Sequence, residues 1–147
     1  MSATDPVQSV VDSVLATLQS VAGLETQSWH VLSEEELMNR AKGVTTPAAA
    51  VVYEGLRRKS DQRGLGCGCG MAVLVFYRGG DGVGIGAMAG DQRKKDCMAM
   101  LKTIRDLILD SPGPGGHKWE FVSETPALEA KGLVVFAQRW TLTVSLL

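Results

Sequence analysis

The stretch Gly132–Leu146, GLVVFAQRWTLTVSL, constrains the fold of this chain more than any other. It alternates as a strand does, but imperfectly. Leu133, Val134, Val135 and Phe136 are apolar in succession, so apolar side chains point to both faces of the strand. Such a strand needs cover on both sides. A helix of the same chain supplies one cover, and a neighbouring subunit is expected to supply the other.

The helices that cover a sheet are legible upstream. In Asp5–Ala22, Val7, Val10, Val11, Val14, Leu15, Leu18 and Val21 recur at helical spacing on one face. Asp5 is placed to cap this helix, Pro6 suits its first position, and Gly23 ends it. Asp91–Leu109 reads as the second main helix. Between them lie a short candidate strand, Ser28–Ser33 (SWHVLS), and a short helix ending at Gly43. Ser33 and Glu36 form a capping box at the start of that helix. Pro47–Gly55 and Cys67–Tyr77 follow as strands. SPGPGG (Ser111–Gly116) breaks the chain, and His117–Ser123 and Leu133–Ser145 are the last strands, joined by the turn ETPALEAKG.

The order α, β, short α, β, β, α, β, β predicts an α/β (α+β) fold. Its sheet is mainly antiparallel, with about four to five strands and two main helices packed on one face. At 147 residues the chain is expected to be a single domain, 1–147, with flexible loops at 56–66 and 79–90. It is 45% hydrophobic and only 5% aromatic, so the core is expected to be mainly aliphatic. The longest apolar run, Met71–Tyr77, is far short of the roughly 20 residues of a spanning helix. The N-terminal MSATDPVQSVVDS has no basic region before an apolar core, so neither a signal peptide nor a membrane partner is expected. Three cysteines without an export signal read as reduced thiols.

Val73–Asp91, VLVFYRGGDGVGIGAMAGD, has the strand–glycine–helix order of a phosphate cradle, and GIGAMA is a loose match to the dinucleotide fingerprint. The details argue against that chemistry. The helix is expected to start at Asp91, beyond the motif, so its first amides do not meet these glycines, and an aspartate there repels phosphate. No acidic residue closes a second strand at the right distance, and no Gly-Lys-Ser/Thr occurs. Gly79, Gly80, Asp81, Gly82, Gly84 and Gly86 therefore read as a loop that contacts a neighbouring subunit and orders on contact, at an entropic cost. A small nucleotide-binding enzyme using Gly79–Gly90 is the alternative from a different class, and no cofactor is expected.

Other chemistry is sparse. Cys67 and Cys69 share one strand face and are poorly placed to bond each other. With Cys97 and either His30 or His117 they lack the usual spacing of zinc ligands, and all three read as small buried thiols. Neither histidine lies in a nucleophile or metalloprotease motif. Glu34, Glu35 and Glu36 are favourable charge at a helix start. The expectation is that the chain is not an enzyme. Arg57, Arg58, Lys59 and Arg63 form a basic run. It is either a solvated loop or a patch facing an anionic partner such as DNA backbone, or a subunit contact. No aromatic residue interleaves it, so base stacking is not implied. The formal net charge of -1 gives no global reason to bind nucleic acid.

The order of features resembles the tail-terminator proteins of contractile-tailed, Mu-like bacteriophages. It is carried by the amphipathic first helix, TPAAAVVYEG, the strand MAVLVFYRGG, a glycine-rich segment, the helix with MLKTIRDLIL, a Pro/Gly turn, HKWEFVSETP and the final GLVVFAQRWTLTVSL. The large glycine loop and GCGCG depart from that pattern. The resemblance implies a virion structural protein of the tail–neck region, assembled in the host bacterial cytoplasm as a homohexameric ring. Its implied partners are the tail tube, possibly the sheath protein, the head-side connector and the DNA in the lumen. A neck or head-completion subunit is the runner-up within this class.

Overall fold

The computed structural model describes residues 6–29, 33–41, 43, 47–58, 66–83 and 90–145. Helix α1 (Pro6–Gln19) starts on its proline, which lacks the amide hydrogen that the first turn cannot use. Val10, Val14 and Leu18 are almost fully buried, so the apolar stripe read from the sequence is the face that packs. Helix α2 (Glu34–Ala41) opens where the capping box predicts. The Ser33 hydroxyl oxygen accepts the Glu36 backbone amide at 3.2 Å, satisfying a donor with no partner inside the helix. Helix α3 (Gly90–Asp110) buries Cys97, Leu101, Ile104 and Ile108 at helical spacing. The predicted capping role of Asp5 lies outside the described residues.

Strands β1 (Glu25–Ser28), β2 (Ala48–Arg58), β3 (Gly66–Val83) and β4 (Glu120–Ser145) lie in spatial order β1-β2-β3-β4. β1 runs parallel to β2 through the crossover that contains α2, and the other pairs are antiparallel. β4 is 26 residues long and is folded back on itself. A straight strand would place Phe121 and Trp140 roughly 60 Å apart, at about 3.3 Å per residue. Their rings instead meet edge to face at 5.2 Å. Counted by its two arms, β4 brings the mixed sheet to five strands, and the α+β class expected from the sequence is the class observed.

The sheet separates two cores. On one face, α1 and α3 cover Val51, Met71, Val73, Phe136, Trp140 and Leu142. On the other, Trp29 and α2 cover Ala48, Ala50, Ala72, Phe76, Val135 and Ala137. The second cover of the final strand was expected from a neighbouring subunit; this chain supplies it, with Trp29 and with Leu37 and Ala41 of α2 buried in one cluster with Ala48, Ala50, Ala72 and Ala137. Trp29 packs edge to face on Phe76 at 5.4 Å.

Several boundaries differ from expectation for physical reasons. The first strand is Glu25–Ser28 rather than Ser28–Ser33. Its polar residues give no apolar period, and backbone pairing to β2, Glu25 opposite Ala48, is what defines it. The segment 56–66 is not wholly loop, since β2 continues to Arg58 and β3 begins at Gly66. Nor is 79–90: Gly79, Gly80, Asp81 and Gly82 belong to β3, and Gly90 opens α3. Glycine is a poor strand former, and none of these four residues takes a register partner in β4. Arg78 pairs with Leu133 and Val83 with Lys131, so the four residues between them bulge opposite Gly132.

Candidate functional site

A groove opens on the α2 face of the sheet, beyond the reach of α2, and a β-bulge shapes one wall. Tyr53 pairs with Met71 and Gly55 with Gly70, leaving Glu54 as the extra residue. Gly55 adopts φ +117, a region that side chains resist, so glycine is required there. The bulge resets the alternation of β2. Ala49 and Val51 face the main core before it, and Leu56 packs against that core after it. Arg57 is therefore turned to the opposite face, opposite Gly68 in the ladder.

The floor comes from GCGCG. Alternation sends Cys67 and Cys69 into the main core and leaves Gly68 and Gly70 on the groove side. With no side chains on the floor, the groove reaches the backbone itself. Its volume is about 480 Å³, within the usual range for pockets, and Arg57, Arg58, Arg139, Glu54 and Val122 stand around it. Arg139 reaches Glu54 at 3.5 Å and donates to the Thr125 hydroxyl at 3.4 Å, so it links β2 to both arms of β4. Arg57 and Arg58 are exposed. Three guanidinium groups against one carboxylate give the groove a positive field.

On the helical face, a partly buried polar network ties α3 to β4. Arg105 donates to Glu124 Oε1 at 2.5 Å. Gln138 Nε2 donates to the same oxygen at 2.8 Å and to the Leu101 carbonyl at 2.9 Å. Cys97 lies close enough to feel Glu124. Burial first, and the Glu124 charge second, push its thiol up to about 11, so it stays protonated and unreactive at neutral pH.

All three cysteines are buried and none forms a disulfide, in line with the reading as small buried thiols. Among the described residues no group of three or more His, Cys, Asp or Glu side chains is placed to hold a metal, and no helix is long and apolar enough to cross a membrane. Of the basic run, the structure brings Arg57 and Arg58 to the groove, whereas Lys59 and Arg63 lie outside the described residues. Gly79, Gly80, Asp81 and Gly82 sit at the bulged end of β3, and Gly84 and Gly86 lie outside the described residues. Glu54, Gly68, Gly70 and Arg139 were not singled out in the sequence. Two signals pointed to them: the strict Gly/Cys alternation, and a lone glycine at Gly55 inside a strand pattern, which marks a bulge.

The geometry defines a two-core α+β fold with a basic groove on one face of its sheet. The sequence matches no family model and no curated protein. The fold is shared with a solved chain of the virion of a native gene transfer agent particle. That chain aligns over 97% of this one and 99% of its own length, with a TM-score of 0.64 and 12% sequence identity.

Proposed function

We propose that the chain is a structural subunit of a phage-type virion, and that it acts as a tail terminator. About six copies form a ring that caps the finished tail tube, ends its polymerisation and offers its other face to the head-side connector. DNA passes through the centre. The mechanism is geometric and contains no active site: one ring face matches the last tube ring, and the other accepts no further tube subunit.

One observation carries the reading, namely the end-to-end likeness to a chain of a gene transfer agent virion. The order of sequence features that resembles tail terminators supports the finer role, from the strand MAVLVFYRGG to the final GLVVFAQRWTLTVSL. In this reading the protein resides in the virion, at the junction of tail and neck.

Electron micrographs of particles assembled without the protein test the role. A terminator's absence yields tubes of uncontrolled, excessive length. Tails of normal length that fail to join heads would instead assign the chain to the neck, and normal, joined particles would remove it from both roles.

A further inference from the structure

We infer that the basic groove receives the C-terminal end of α3 from a second copy, with Asp110 set against Arg57 and Arg58 and Leu109 against Val122. This rests on the ring reading and names the contact that would build the ring.

The two surfaces complement each other in charge. Glu54 is engaged by Arg139, which leaves the exposed Arg57 and Arg58 to define the field of the groove. At the other surface, the last turn of α3 carries no basic residue, and Asp106 and Asp110 are exposed. The carbonyls that end a helix add partial negative charge to those carboxylates. Asp106 already pairs with Lys102 at 2.6 Å, so Asp110 is the carboxylate the geometry points to.

The two surfaces also complement each other in apolar area. Among the described residues the exposed large hydrophobic side chains are Met98, Leu109, Phe121 and Val122. Leu109, 50% exposed, adjoins Asp110, and Val122, 59% exposed, lines the groove. Arginine beside apolar side chains is a common composition at the energetic centre of protein contacts. A groove of about 480 Å³ accommodates the side chains of one helix end.

The placement also suits a closed assembly. Gly113, just beyond α3, packs so tightly on Leu142 of β4 that an added Cβ would lie 2.7 Å from Cδ1. The end of α3 therefore stands over the same end of the sheet as the groove-lining Thr141, but on the opposite face. Each copy thus offers the acidic end on one side and the basic groove on the other. Such a contact between unlike patches is heterologous, the kind from which rings are built.

The test uses the full chain in sedimentation velocity across a concentration series at low and moderate salt. Arg57→Glu with Arg58→Glu, and separately Asp110→Lys, are each expected to weaken self-association by about tenfold or more. Combining them is expected to restore it to within about threefold, because the reversed charges again attract. All three positions are exposed, and circular dichroism confirms that the variants fold. Leu109→Ser with Val122→Ser is expected to weaken association without altering its salt dependence. A wild-type chain that associates while the charge-reversed variants associate equally well overturns this contact and leaves the ring reading standing. A combined variant no better than its parents also overturns it. Loss of DNA binding with unchanged self-association assigns the groove to a nucleic acid and overturns the proposal. A wild-type chain that stays monomeric throughout overturns the ring and the contact together.

Discussion

Trp140→Ala is expected to lower the free energy of unfolding by about 3–5 kcal/mol, the range for removing a large aromatic from a packed interior. Trp140 is 1% exposed and is the largest of the fully buried side chains among the described residues. It lies opposite Met71 in the β3–β4 ladder and inside the core under α1 and α3. It also receives the edge-to-face contact of Phe121, which pins the outer arm of β4 to the inner one. Truncation removes transfer energy, opens a cavity and frees the outer arm at once. One effect opposes these. The indole Nε1 is buried with no hydrogen-bond partner among the described residues, so the native state already bears an unsatisfied donor. Trp140→Phe removes that donor and keeps most of the ring, so its cost is expected to be only about 1 kcal/mol. Urea unfolding of the two variants checks the contrast; equal costs would mean that the ring does not fill the space assigned to it.

Glu124→Ala is expected to cost about 2–3 kcal/mol. Its Oε1 accepts from both Arg105 and Gln138, joining α3 to the two arms of β4. Gln138 is 0% exposed, and its Oε1 has no partner among the described residues, so the amide depends on its two donated bonds. Turning the amide over would aim its oxygen at the Glu124 carboxylate and the Leu101 carbonyl, and repulsion excludes that orientation. Removing the carboxylate leaves a buried N–H unsatisfied and the Arg105 guanidinium, 30% exposed, without its partner. The pairs Glu36–Arg40 and Lys102–Asp106 are more exposed, and each is worth well under 1 kcal/mol. A double-mutant cycle between Arg105→Ala and Glu124→Ala isolates the link. A coupling energy near zero would contradict it.

The sequence showed most clearly what side-chain periodicity encodes. The face of α1 carrying Val10, Val14 and Leu18 is the face that packs, the Ser33 cap begins α2, and the imperfect alternation of Leu133–Phe136 does signal two covered faces. It was silent where backbone pairing decides. Glu25–Ser28 becomes a strand because β2 offers it hydrogen-bonding groups, and no apolar pattern announces that. The glycines after Arg78 looked like loop because their side chains say nothing about pairing, yet β3 carries them to Val83.

The groove illustrates the same division. Arg57 and Arg58 were visible as a basic run, but their partner Arg139 lies far along the chain and meets Glu54 only once β2, β3 and β4 are aligned. The bulge at Glu54 decides which face Arg57 occupies, and a one-residue shift of that kind reverses every side chain after it. GCGCG was an isolated oddity in the sequence. In the sheet it has a plain physical sense: thiols small enough for the core on one side, and a bare floor on the other.

The native mass of the purified chain decides whether the proposed ring forms. Native mass spectrometry, paired with negative-stain imaging, is expected to find a discrete species of about six times the 15.7 kDa subunit mass, seen as closed rings with a central hole. A chain that remains at 15.7 kDa at every concentration, with or without tail tubes, would contradict the account.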